Sequence, residues 1–160
     1  GKVIGEQNIA EGSISANFKV AYQPGTLKAI SIENGKETAS KTLVTTGKPV
    51  ALKLTADRQT IQVGLNDLAY IKAEVVDANG NTVPYANNVK ITFKLLPGKG
   101  SIMAVGNGNP TDVSSFHQPE KKVWRGSCQA IIRPDIAPGK IVLQVEADGL
   151  KPATITINSK

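Results

Sequence analysis

The sequence is short of the residues that chemistry usually needs. Its 160 residues hold one cysteine, one histidine, one tryptophan and 4% aromatics. A lone cysteine, Cys128, excludes an internal disulfide. With one histidine and one cysteine, a zinc site is not expected. Nucleophilic catalysis by serine or cysteine would have to use His117, which lies in a turn-rich stretch, and no Gly-x-Ser-x-Gly is present. No apolar run approaches the ~20 residues that cross a bilayer, so membrane insertion is not expected. No signal peptide or lipidation box stands at Gly1, and the chain starts without Met, so it reads as a piece excised or processed from something longer. Helix-period patterns, heptads and low-complexity tracts are missing as well.

The charge balance is basic, with 19 Lys plus Arg against 13 Asp plus Glu. Nucleic-acid binders gather such charge into a stripe. Here Lys19, Lys28, Lys41, Lys53, Lys72, Lys90, Lys94 and Lys140 are spread along polar faces, and the longest basic run is Lys121–Lys122. Outward lysines guard sheets against edge-to-edge pairing, and no nucleic-acid partner is expected.

What is present is alternation. From Ala69 to Leu95, Ala69, Ile71, Ala73 and Val75 share one face, with Tyr70, Lys72 and Glu74 on the other. Val89, Ile91, Phe93 and Leu95 repeat the pattern against Lys90, Thr92 and Lys94. A period of two means strands buried on one side. Before this stretch, Lys2–Gln7 reads as a short strand. Ile14, Ala16, Phe18, Val20 and Tyr22 read as a half-buried one, with Phe18 and Phe93 both expected inside. Thr26–Glu33 and Glu37–Val44 flank Asn34-Gly35, the strongest short hairpin signal, because a type I′ turn needs positive φ at both central residues. Thr45–Pro49 reads as a linker. Strands then follow at Val50–Ala56, Ile61–Val63, Ala69–Val76, Asn88–Leu96, Ser101–Val105, Val123–Arg133, Ile141–Ala147 and Ala153–Ile157. A turn is expected over Gly64–Asp67, and the longest loop runs from Gly106 to Lys122.

Short strands spaced by about 8–12 residues indicate a sandwich or barrel. The expectation is an all-β chain: an immunoglobulin-like β-sandwich over residues 48–160, preceded by a partial, smaller β-sandwich-type segment over residues 1–47. The disulfide of antibody domains and its tryptophan partner are absent. Cys128, in line with Ala130 and Ile132, reads as a small buried thiol.

The sequence offers few groups that could form a site. Glycosidase chemistry needs two carboxyl groups about 5–9 Å apart in a cleft. The acids here sit in turns (Asp57, Asp67, Asp77, Asp112, Asp135, Asp148) or on outward faces (Glu74, Glu146), and no spacing forces a pair. Asp77-Ala78-Asn79-Gly80-Asn81 begins like a calcium loop, but Asn88 stands where the bidentate Glu belongs and Asn81 where the glycine belongs. A turn explains it better, so neither metal nor cofactor is expected. Gly106-Asn107-Gly108-Asn109-Pro110 lacks the ending of a phosphate loop, and its glycines read as positive-φ positions. Sugar sites use exposed rings flanked by amides. Asn107, Asn109, Phe116, His117 and Trp124 are therefore the candidates for contact with carbohydrate or with a neighbouring domain.

The wording of the sequence also resembles a family. Tyr22–Ala29, Asn34-Gly35-Lys36-Glu37 and Thr46-Gly47-Lys48-Pro49 look like the tail of a small domain downstream of the catalytic barrel in bacterial glycoside hydrolase family 2 enzymes. Leu54–Arg58, Asp67–Tyr70, Val75–Asn81, Gly106–Pro110, Phe116, Gly126 and Asp148-Gly149-Leu150 are similar to the C-terminal domain that follows in the β-galactosidase-like members. Gly106 stands where the family often has Asp, and Trp124 where Phe is frequent. The resemblance implies two consecutive β modules, the first entered partway through. It implies no catalytic residue in this chain, because the catalytic glutamates belong to a barrel the chain does not contain. It also implies a non-catalytic accessory role in a parent that hydrolyses glycosidic bonds. The catalytic barrel and neighbouring β domains of the parent are the expected partners, carbohydrate is a candidate one, and a bacterial periplasmic or extracellular location is expected. A carbohydrate-binding module and an adhesin-type immunoglobulin-like spacer are the alternatives.

Overall fold

The computed structural model describes residues 1–64 and 67–160. Two compact units divide the chain, Gly1–Thr45 and Thr46–Lys160. Gly47 goes with the second unit for a clear reason. Its N–H donates to Asp77 Oδ2 (2.9 Å) and its carbonyl accepts the Tyr85 hydroxyl (2.7 Å). The end of the expected linker is thus fastened to the domain it enters.

The first unit contains one hairpin, β1 (Thr26–Glu33) and β2 (Lys36–Val44), paired antiparallel. Asn34 (φ 51°) and Gly35 (φ 74°) both take the positive φ that their sequence announces. The two strands expected earlier, Lys2–Gln7 and the Ile14–Tyr22 alternation, are not formed. Ile14 is fully exposed, and Phe18, expected inside, is 53% exposed. Alternation marks a strand only where a neighbouring strand takes up its N–H and C=O groups. Residues 1–25 join no ladder here, and one of their few bonds is Asn17 N–H to Gln7 Oε1 (3.2 Å).

The second unit is a two-sheet sandwich built from β3 (Ala51–Ala56), β4 (Thr60–Ile61), β5 (Ala69–Val76), β6 (Lys90–Leu95), β7 (Gly100–Gly106), β8 (Glu120–Lys122), β9 (Ser127–Pro134), β10 (Gly139–Glu146) and β11 (Ala153–Ser159). The turn expected over Gly64–Asp67 includes Leu65 and Asn66, which lie outside the described residues. One sheet has the order β3-β5-β9-β7, the other β4-β11-β10-β6-β8. Neighbouring strands are antiparallel except β4, which runs parallel to β11. The first edge of the unit therefore splits, β3 serving one sheet and β4 the other. The orders match the ABED and GFC sheets of the immunoglobulin fold.

The alternation from Ala69 to Leu95 resolves into two strands in opposite sheets. Ala69, Ile71, Ala73 and Val75 on β5, and Ile91 and Phe93 on β6, join one core with Ile132, Ile141, Leu143, Val145 and Ile157. Phe93 is the largest fully buried side chain, on the strand that carries the buried tryptophan in antibody domains. Glu74, expected outside, is 8% exposed. Thr82 folds back to bridge Val76 and donates its hydroxyl to Glu74 Oε1 (2.8 Å), beside Lys72 Nζ (2.7 Å). Burial pushes this carboxyl up, but those two hydrogen bonds outweigh it and leave the pKa below the usual range.

The chain crosses between sheets at Asp77, which is 3% exposed. Its Oδ1 accepts the N–H groups of Asn79 and Asn81 (both 2.9 Å), and its Oδ2 accepts Gly47 N–H and Asn81 Nδ2 (3.3 Å). These donors, Gly47 first, hold the carboxyl below its ordinary pKa. Asp77 is thus occupied as the acceptor of a turn, with its oxygens facing N–H groups.

One strand is read too long in sequence. The expected Val123–Arg133 run is broken by a two-residue turn, with Arg125 (φ 49°) and Gly126 (φ 78°) between Trp124 and Ser127. Trp124 and Ser127 exchange both backbone bonds (2.9 and 3.1 Å). A Cβ on Gly126 would lie 2.3 Å from the Val83 carbonyl oxygen, so Gly126 is required by space as well as by φ.

Phe93→Asp and Ile71→Asp should each abolish cooperative unfolding at room temperature, because an unpaired buried charge costs several kcal/mol against a total of about 5–15 kcal/mol. Retention of the wild-type Tm in calorimetry would refute the assignment of these residues to the core. Gly126→Ala should lower stability by more than the ~1–2 kcal/mol of left-handed backbone alone, read as a shift in the urea midpoint.

Candidate functional site

Residues 107–119 join β7 to β8, the outer strands of the two sheets, so the end of the expected Gly106–Lys122 loop, Glu120–Lys122, is a short strand. The connection is organised from below by one side chain. Glu120 and Lys122 on β8 point outward, while Lys121 and Val123 point inward, and Lys121 is 2% exposed. Its Nζ donates to the Ser114 carbonyl (3.1 Å), the Ser114 hydroxyl (2.7 Å) and the Ser115 carbonyl (3.2 Å). It stands 3.6 Å from Asp112 Oδ2 and 4.9 Å from the centre of the Phe116 ring. A buried ammonium is tolerable only when its donors are used, and here they are.

The polar residues around it are spent on each other. Asn107 Nδ2 donates to Asp112 Oδ2 (2.7 Å) and to the Lys122 carbonyl (2.8 Å), while its Oδ1 accepts Asn109 N–H (3.0 Å). Asn109 Oδ1 accepts the N–H and hydroxyl of Thr111 (3.1 and 2.9 Å). Ser114 N–H donates to Asp112 Oδ1 (2.8 Å). Contacts from Ser114, then Asn107 and the Lys121 charge, hold the Asp112 carboxyl down at about 2.

Of the five residues singled out in sequence, the structure brings three together. Asn107, Asn109 and Trp124 line a shallow concavity of about 630 Å³ with Asn87, Asn88 and Glu120; Phe116 and His117 are not part of its wall. Trp124 is half-buried, and the Arg125 guanidinium stands 4.4 Å from the centre of its ring. A Cβ on Gly108 would be 3.3 Å from the same ring. Gly108 is therefore small for close approach; neither it nor Gly106 has the positive φ expected of them. Trp124 serves as a packing surface for its neighbours. Phe116 is 56% exposed, and its backbone carbonyl accepts Val105 N–H at the edge of β7 (2.8 Å).

Lys121 and Asp112 were missed as organisers. The signal was present for Lys121, because a period of two through Glu120-Lys121-Lys122-Val123 places it beside Val123 on the inner face. A pair of adjacent lysines reads instead as a solvated run. Cys128 is buried as expected, and burial pushes its thiol up to about 12, out of the nucleophile range.

The family profile described as glycoside hydrolase family 2 C-terminal domain 5 matches residues 52–156. The chain belongs to this family. Residues 1–39 match a separate profile, a domain of unknown function. A β-galactosidase of Bacteroides ovatus is 36% identical over 89% of the chain, which spans 17% of that protein. A glycosyl hydrolase family 2 member from Bacteroides cellulosilyticus superposes with a TM-score of 0.81 at 37% identity, over 88% of this chain and 18% of that one. A β-glucuronidase from glycoside hydrolase family 2 superposes with a TM-score of 0.77 at 26% identity, over 96% and 16%. The family 2 resemblance read from the sequence is borne out, and the all-β sandwich is the form of these relatives' matching segment. The chain corresponds to a small part of each glycoside hydrolase named.

The Asp112 carboxyl gives a signed pH dependence. Its folded pKa of about 2 lies below the ordinary 3.8. The stability it adds is complete above the ordinary value and is lost as pH falls towards about 2. Asp112→Asn should therefore flatten the acid limb of a Tm-versus-pH curve between those values; an unchanged limb would show that the carboxylate is not engaged in solution.

Proposed function

We propose that this chain is a non-catalytic accessory module of a longer β-galactosidase-like glycoside hydrolase, whose catalytic barrel and neighbouring β domains are its partners. The observation that carries the reading is the match of residues 52–156 to a C-terminal domain of family 2, together with the chain's 17% share of a β-galactosidase. The geometry supports it. At the β7–β8 connection, Asp112 is tied into a hydrogen-bond network and Glu120 is paired with Lys90 at 2.9 Å. Asp112, its carboxyl held down by that network, is not poised as the raised-pKa acid of a glycosidase pair. The sandwich then acts as a rigid body that braces the barrel or shapes access to it. Carbohydrate binding has less support, since the ring of Trp124 is packed against Arg125 and Gly108 and the amide groups of Asn107 are engaged inside the loop.

The 160-residue chain should release no nitrophenol from 4-nitrophenyl β-D-galactoside or β-D-glucuronide above the buffer rate. Turnover that disappears in a point variant of this chain would overturn the proposal.

A further inference from the structure

The loop between β7 and β8 differs from the rest of the sandwich in what holds it down. The sheets are held by interior apolar rows, with Ile71, Phe93, Ile132 and Leu143 enclosed. The loop has almost none of this. Val113 is 99% exposed and Phe116 56%, and of residues 111–120 all but Asp112 are exposed. Its attachment is polar and is concentrated at one buried charge. Lys121 reaches from the inner face of β8 into a cage made by Asp112, Ser114 and Ser115. The remaining ties are few: Asn107 Nδ2 to the Lys122 carbonyl, Val105 N–H to the Phe116 carbonyl, and Phe93 N–H to the Pro119 carbonyl. Segments with little buried apolar area open locally at low free energy, while the core stays closed.

We propose that Lys121 is a latch, and that residues 107–119 form a strap that opens as a unit without unfolding the sheets. The strap crosses the side of the sandwich where each sheet ends, in β7 on one and β8 on the other. Two properties make it one unit. The three hydrogen-bonded oxygens come from the consecutive residues Ser114 and Ser115, so displacing the ammonium from one loosens its hold on the other. Asp112 ties the cage to Asn107, so the same event loosens the start of the strap. Opening frees Val105 N–H and with it the outer edge of β7, an unpaired strand edge of the kind that accepts another backbone.

The test is hydrogen exchange by mass spectrometry on the full 160-residue chain. Lys121→Met removes the charge and keeps the length of the side chain. Exchange across residues 106–119 should become at least about tenfold faster, while peptides from β5, β9 and β10 keep wild-type protection. Lys122→Met, one residue away and outward-facing, should change neither. Strap exchange equal to that of wild type, or a rise shared equally by strap and sheets, would overturn the proposal. If Lys121→Met does not fold, Ser114→Ala decides the matter, since it removes the shortest bond to the ammonium at an exposed residue. Faster exchange confined to the strap supports the latch, and unchanged exchange there overturns it.

Discussion

Asp77 stands where the chain leaves one sheet for the other, and much of the second unit depends on that crossing. β5 and β6 carry the most regular apolar rows of the sequence, and they can enclose a core only if they face each other from opposite sheets. A connection that turns so sharply leaves backbone N–H groups without ladder partners. The carboxylate takes those of Asn79 and Asn81, and also that of Gly47, where the chain enters the domain. The entry segment and the sheet crossing thus share one acceptor. Thr82, held beside β5 by the same turn, covers Glu74 and makes its burial tolerable. A sequence word that could have begun a calcium loop is used to order backbone.

A second polar centre does comparable work at the far edge. Lys121 fills the seam between β7 and β8 with a charge, where an apolar side chain would offer Ser114 and Ser115 no hydrogen-bond donor. Buried ion pairs of this kind are weak sources of stability but good at selecting one arrangement. Here the arrangement selected is an exposed loop in which Asn107, Asn109 and Asp112 bond to neighbours within it. Asn107 and Asn109, the amides singled out in sequence, take part in that network through their side-chain oxygens and, for Asn107, its Nδ2.

The match of residues 52–156 to a family 2 C-terminal domain, and the chain's small share of each relative, are what the proposed accessory role rests on. The first unit shows the limits of isolated alternation. Its hairpin turn at Asn34-Gly35 is local and forms as written, while the apolar residues of Ile14–Tyr22 stay exposed because they belong to no ladder.

The sequence by itself determined the all-β class, most strands of the second unit, the hairpin at Asn34-Gly35, the burial of Phe93 and Cys128, and the family. All of these follow from period-two alternation, from turn chemistry confined to neighbouring residues, or from words kept in order along the chain. Only the tertiary structure decided which sheet each strand joins, that Arg125-Gly126 breaks a strand in two, that Phe18 is outside and Glu74 inside, and that Lys121 is the centre of the long loop. Several of these depend on a residue outside the strand's own alternation: Val83 over Gly126, Thr82 over Glu74, Ser114 and Ser115 around Lys121. A side chain's pattern tells which way it points, but whether that direction holds solvent, a carbonyl or a carboxylate is set by the segments that fold against it.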